Sequence, residues 1–243
     1  MHPVMELDHV TAGYGPTVII EDLSLTLAAG DVLAVLGRNG VGKSTLMKTI
    51  VGQTRLHHGE IRLHGASVSS LKSYRRAVAG IGYVPQERDI FGTLTIEENL
   101  KIAARAGYWT VEKILELFPN LFTRRHSHGD EISGGEQQML SLGRALVGNP
   151  SLLLLDEPME GLAPVIVDQI LKVLQTLRAG GGLAIVLVEQ YALMALEFAP
   201  QTIVLDRGRA IFDGKSIDLL NNPDLMASCL GVSLSKTPDN ASI

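Results

Sequence analysis

Three short stretches carry residues whose types and spacing could do chemistry. The first, "GRNGVGKST" at residues 37–45, fits G-x-x-x-x-G-K-[ST] through Gly37, Gly42, Lys43 and Ser44. Glycines in such a turn let the backbone N–H groups of Arg38, Asn39, Gly40 and Val41 close around phosphate oxygens, and a following helix start adds positive potential. Lys43 would neutralise β- and γ-phosphate charge, while the Ser44 hydroxyl, next to Thr45, can ligate Mg²⁺. The second stretch, "LLLLDE", ends an apolar strand with Asp156 and Glu157. Ligands of open α/β sheets gather at that end of a strand. Hydrolysis of a phosphoanhydride needs charge compensation and a group that positions water, so Asp156 is assigned to the Mg²⁺ shell and Glu157 to the attacking water. Side chains alternate along a strand, so the two acids are expected to face different ways.

The third stretch, "EISGGEQQML" at residues 131–140, places Ser133, Gly134, Gly135 and Glu136 at a helix start. Ser133 and the two glycine N–H groups suit a γ-phosphate, but no lysine follows to neutralise it. The stretch also falls in a helical block away from the first loop. A phosphate-binding surface that its own nucleotide cannot reach makes sense if two such domains face head to tail, each closing the other's ATP.

These residues have to be positioned by the elements around them. Apolar runs bounded by Gly or Asp alternate with longer helical patterns, as in an α/β sheet with parallel strands. The turn-rich "HVTAGYGPTVIIEDLSLTLAAGD" predicts short antiparallel strands; "VLAVLG" predicts a buried strand, followed by a helix that Gly52 stops. "GEIRLHG" and "GIGYVPQ" read as strands, and residues from about Thr95 to Gly148 read as mostly helical. Strands return in "LLLLDE", "LAIVLVE", "TIVLD" and "RAIFDG", with a helix around "VIVDQILKVLQTLRAG". The parallel core resumes after the helical block.

The chain has 243 residues, of which 46% are hydrophobic and 19% charged, enough to bury a core. The longest apolar runs fall well short of the ~20 residues that cross a bilayer, and no leader pattern opens the sequence, so neither a spanning segment nor secretion is expected. A net charge of −5 gives no broad basic surface, and nucleic acid is not an expected partner. The single Cys229 has no cluster of ligands beside it and is expected to pack against the core.

In order and spacing the motifs resemble the ATP-binding cassette ATPases that power ABC transporters, over nearly the whole chain to about Gly231. The resemblance implies an α/β fold: a P-loop NTPase core with a mostly parallel sheet, an N-terminal antiparallel β part and an inserted helical subdomain. One cassette domain would occupy residues 1–231, its helical subdomain about residues 90–148, and a polar tail residues 232–243. It further implies ATP and Mg²⁺ as ligands, adenine stacking for Tyr14 in "AGYG", and for Gln86 in "YVPQE" contact with Mg²⁺ and the attacking water. Ser133, Gly134, Gly135 and Glu136 match the family signature, and Gln190 stands where the family has a switch histidine.

Three departures from the family pattern bear on mechanism. Ile132 and Glu136 replace the signature's leucine and glutamine; Ala163 replaces the aspartate of the loop after the acids; Gln190 replaces histidine, with Glu189 expected to point the other way. "GEQQML", "EGLAP" and "LVEQ" are together similar to the shorter ATPase of branched-chain amino acid uptake systems, with urea or amide uptake ATPases and soluble cassette proteins as alternatives. That likeness implies a second ATPase subunit, two transmembrane permease subunits and, indirectly, an extracytoplasmic solute-binding protein. It also implies a peripheral place on the cytoplasmic face of a bacterial inner membrane, and a membrane-subunit helix near Gln86 to Phe91. A P-loop kinase or GTPase would lack "SGGE" ahead of "LLLLDE", and no Asn-Lys-x-Asp guanine reader is present.

Overall fold

A computed structural model describes residues 2–230. The expected tail, residues 232–243, lies outside the described residues. The chain begins with two long strands, β1 (Met5–Tyr14) and β2 (Thr17–Leu27), joined by a hairpin. They are longer than the short strands predicted, because register shifts between Leu7 and Gly13 bend β1 without ending it. With β4 (Arg55–Leu63) and β5 (Ala66–Ser67) they form an antiparallel sheet of order β2-β1-β4-β5.

The second sheet contains β3 (Val32–Leu36), β6 (Ile81–Val84), β7 (Leu152–Asp156), β8 (Ala184–Val188), β9 (Gln201–Asp206) and β10 (Arg209–Lys215), ordered β10-β9-β3-β8-β7-β6. All its pairings are parallel except that of β10 with β9. β3, β7 and β8 are wholly buried, as runs without polar alternation require of a sheet covered on both faces. Period-2 geometry divides their side chains: Leu33, Val35, Leu152, Leu154, Val186 and Val188 pack toward the antiparallel sheet and α1 (Lys43–Ile50). Leu36, Leu153, Leu155, Ile185 and Leu187 pack on the opposite face, toward the helices that follow β6.

α1 follows β3 after the turn of residues 37–42, and its C-cap is Val51, one residue before Gly52. Its last carbonyls are satisfied by a buried guanidinium: Arg76, on α2 (Ser73–Ala79), donates to Thr49 and Ile50 oxygens at 2.9 Å, to Ser69 at 2.8 Å and to Leu71 at 3.1 Å. The expected helical block contains α3 (Ile96–Ala103), α4 (Val111–Leu117), α5 (Pro119–Thr123) and α6 (Gly134–Val147), and then α7 (Pro164–Ala179) follows β7. α8 (Ala192–Phe198), α9 (Ser216–Leu220) and α10 (Pro223–Leu230) complete the described chain, and Cys229 on α10 is half-buried against the core. Among the described residues no helix is long and apolar enough to cross a membrane.

Candidate nucleotide site

β3, β8 and β7 are adjacent and parallel, so the loops that leave their carboxyl ends converge. Those loops carry the phosphate-loop residues, Gln190 and Glu157. They line a cavity of about 370 Å³ whose walls include Asn39, Gly40, Gly42, Lys43, Ser44, Thr45, Gln86, Glu157 and Gln190. Two glycines are needed by the loop itself. Gly37 has φ 144° and Gly42 φ 114°, and a Cβ on Gly37 would lie 2.4 Å from the Leu205 carbonyl oxygen.

Lys43 is buried, and its Nζ donates to the carbonyls of Gly37 at 3.0 Å and Arg38 at 3.2 Å while standing 3.6 Å from Glu157 Oε1. Ser44 Oγ donates to Asp156 Oδ1 at 3.0 Å, and the Tyr83 hydroxyl donates to Asp156 Oδ2 at 3.3 Å. Burial raises the Asp156 carboxyl above its ordinary value, with the Ser44 and Tyr83 hydrogen bonds opposing. A hard-oxygen pair of this kind, Asp156 buried and Ser44 half-buried, fits Mg²⁺, which takes one or two protein oxygens and completes its shell with water and substrate phosphate. Among the described residues no cluster of three or more His, Cys, Asp or Glu side chains could form a cage made of protein alone.

Asp156 and Glu157 do diverge, but not through strand alternation. β7 ends at Asp156, and Glu157 adopts φ 49°, the left-handed region that non-glycine residues seldom occupy. Its N–H still reaches the Val188 carbonyl of β8 at 2.9 Å, and its carboxylate accepts a hydrogen bond from the Gln190 amide. Gln86, on the exposed segment after β6, donates to Glu160. Glu189 is buried and does not line the cavity; β8 ends at Val188, so strand alternation does not set its direction relative to Gln190.

Other candidates lie outside the cavity. Tyr14 is exposed at the β1–β2 hairpin, and Ile19 supplies that hairpin's part of the wall. Arg38 and Val41 belong to the loop without lining the cavity. Ser133, Gly134, Gly135 and Glu136 open α6 elsewhere: Gly134 lies against the Arg88 guanidinium and Gly135 against Ile166. Ser133 and Glu136 form a reciprocal cap, with Ser133 N–H and Oγ donating to Glu136 Oε2 at 2.8 and 2.7 Å. Arg124 adds a hydrogen bond at 3.1 Å to the same oxygen. Burial pushes the Glu136 carboxyl up, but these bonds outweigh it and hold the group below its ordinary value. The added negative charge is thus neutralised by Arg124 as well as by the helix start. Ile132 is buried in the core, so its exchange for leucine is a packing change. Ala163 is the N-cap of α7 and supplies no side-chain acceptor.

Tyr83, Arg88, Arg124 and Glu160 were not visible as site residues in the sequence. Tyr83, Arg88 and Glu160 meet their partners from elements distant in sequence and Arg124 from the end of α5, 12 residues before Glu136, and the cue was the place of Tyr83 and Arg88 on either side of Gln86. Ile90 is half-buried against the core, whereas Phe91 is exposed beneath the Arg144 guanidinium, 4.5 Å from its ring centre.

Comparison with known proteins agrees with this geometry. The family described as ABC transporter matches residues 20–160. The chain is 39% identical over 236 residues to the high-affinity branched-chain amino acid transport ATP-binding protein BraG of Pseudomonas aeruginosa, covering 94% of this chain and all of that one. It is 38% identical to the probable branched-chain amino acid transport ATP-binding protein LivF of Archaeoglobus fulgidus, covering 92% and 97% of the two chains. A solved ATP binding subunit of an ABC transporter superposes with TM-score 0.79 at 25% identity, over 95% of this chain and 96% of that one. With the phosphate loop, Asp156 and Glu157 gathered at one sheet edge and a separate Ser-Gly-Gly helix start on α6, the chain belongs to the ABC transporter family as one of its ATP-hydrolysing cassettes.

Proposed function

We propose that this cassette drives an importer of branched-chain or related amino acids, closing head to tail on ATP against a second cassette. The observation that carries the two-cassette reading is the separation of Ser133 from the cavity that holds Lys43 and Glu157. A phosphate-binding helix start with no phosphate loop beside it is useful to a nucleotide held by a partner. The amino-acid assignment is supported by the two transport relatives above.

Within this chain, residues 37–45 receive the triphosphate, and Lys43 exchanges its loop carbonyls for β- and γ-phosphate oxygens. Ser44 and Asp156 would hold Mg²⁺, which when bound supplies charge compensation on those oxygens. Glu157 orients the attacking water and takes its proton; Gln190 fixes the Glu157 carboxylate, and Gln86 monitors the same water from the segment after β6. Tyr14 stacks on adenine from the hairpin. The second cavity, also about 370 Å³ and lined by Tyr83, Pro85, Arg88, Asp89 and Arg144, offers the membrane subunits a seat beside Gln86. Residues 1–231 act as one domain, bound peripherally at the cytoplasmic face of a bacterial inner membrane, with a solute-binding protein supplying the permease.

Deleting the gene and measuring uptake of labelled leucine and labelled urea by intact cells tests the reading. Loss of leucine uptake that this chain restores supports it. Unchanged leucine uptake with lost urea uptake moves the assignment to urea, and failure to co-purify with membrane subunits in mild detergent refutes a transport role.

A further inference from the structure

One buried carboxylate has no part in the hydrolytic scheme. Glu189 follows β8 and is 1% exposed. Its two oxygens accept from two different chain segments: Oε1 from the Met159 N–H at 3.3 Å, and Oε2 from the Gln190 N–H at 3.1 Å. Met159 lies two residues beyond Glu157, and Gln190 is the residue whose amide holds the Glu157 carboxylate. The two segments are joined once more by the Glu157 N–H on the Val188 carbonyl.

Burying a carboxylate without a cation is costly. Burial pushes Glu189 up to about 7, with the N–H groups of Gln190, Met159 and Tyr191 opposing and the negative Glu157 adding to the rise. The charged groups facing this region are Glu157 from the end of β7 and, beyond it, Lys43 from α1. What the buried charge obtains is order where order is otherwise lacking. Glu157 sits at φ 49°, and Gln190 is exposed on a loop between strand and helix.

We infer that Glu189 is a positioning residue: by bridging the backbone N–H groups of Met159 and Gln190 it holds the Gln190 amide on the Glu157 carboxylate during hydrolysis. This rests on the roles proposed above for Glu157 and Gln190. A glutamine at 189 keeps the shape, but its NH₂ cannot accept, so one of the two N–H groups loses its partner. An aspartate keeps the charge but is one methylene too short to reach both.

The test is steady-state ATPase activity of the assembled transporter carrying Glu189→Gln, Glu189→Asp, Gln190→Leu or the Glu189→Gln/Gln190→Leu double substitution. Glu189→Gln is expected to lower kcat about tenfold with KM for ATP changed by less than about twofold, the pattern of an interaction made in the transition state. Wild-type kcat should fall as pH drops through about 7, where the carboxylate takes up a proton, and this acid limb should be missing in Glu189→Gln. The folded-state value lies above the ordinary 4.5, so the charged form is penalised above pH 7 and the penalty fades as pH falls. Glu189→Gln should therefore melt above wild type at about pH 8, whereas a residue needed only for structure would melt below it. Glu189→Asp should lose turnover without that gain in melting temperature. The double variant should be no slower than Gln190→Leu alone, because the effect passes through Gln190.

Wild-type turnover in Glu189→Gln, wild-type turnover in Glu189→Asp, or additive losses in the double variant would each overturn the inference while Gln190→Leu remains slow. If Gln190→Leu itself turns over at the wild-type rate, the assignment of Gln190 fails and the inference fails with it.

Discussion

Gln190→Leu removes one hydrogen bond and keeps side-chain size, so its effect can be estimated from the site. The lost bond is a neutral amide donating to the Glu157 carboxylate. Bonds to charged groups contribute about 1.5–3 kcal/mol. Two features of the site set where in that range the loss falls. Glu157 is buried and keeps Lys43 at 3.6 Å, so its charge stays compensated. Gln190 is exposed, so water can replace the missing donor. Both argue for the lower bound, about 1.5 kcal/mol, or roughly tenfold in kcat at 1.36 kcal/mol per decade. A histidine at 190 restores a donor and, when protonated, adds a charge-assisted bond about twice as strong as a neutral one. Gln190→His should then match or exceed wild type. Steady-state ATPase rates of the assembled complex, with the partner cassette's catalytic glutamate disabled, isolate this site. Equal rates for wild type and Gln190→Leu would refute the reasoning.

Glu157→Gln should retain ATP binding and lower turnover by about 10² to 10⁴, the range for losing a general base, with ATP-bound dimers accumulating in size-exclusion chromatography; wild-type turnover would remove Glu157 from the chemistry. In a mixed pair, Ser133→Arg should silence the partner's site and spare nucleotide binding here, so loss of ATP binding by the isolated chain would contradict the split-site arrangement. Tyr14→Ala should weaken ATP binding by about 1–3 kcal/mol in a titration if the exposed ring stacks on adenine, and no change would exclude stacking. Arg76→Met should destabilise the chain by about 3 kcal/mol in urea unfolding, because four backbone carbonyls, two of them closing α1, lose a buried donor; a loss under about 1 kcal/mol would show that water replaces it.

Local chemistry was legible wherever a few consecutive residues dictate it. The glycine turn of residues 37–45, the Ser133 helix start and the doubly buried run before Asp156 follow from φ preference, capping geometry and the absence of polar alternation. The departures at Ile132, Glu136, Ala163 and Gln190 could be read by position against the family pattern that the sequence resembles. Local pattern also misled at two points: β1 and β2 were expected to be short, and Glu157 was expected to turn from Asp156 by strand alternation. A bulge and a left-handed φ decided those instead, and neither has a period that a sequence displays.

What only the tertiary structure decided is which side chains meet. Ser44 reaches Asp156 across 112 residues, Tyr83 reaches Asp156 across 73, and Gln86 reaches Glu160 across 74. Those contacts depend on the order β3-β8-β7-β6 and on pairings such as Tyr83 with Leu154 and Asp156 with Val188. An all-apolar strand looks the same in any register, because period-2 patterning carries information only where one face is polar. The packing of the whole sheet, with α1 and the antiparallel sheet on one face and α3 to α10 on the opposite one, selects the single register that buries both faces. In doing so it brings Lys43 and Gln190 to Glu157, Ser44 to Asp156, and Glu189 to the backbone of Met159 and Gln190.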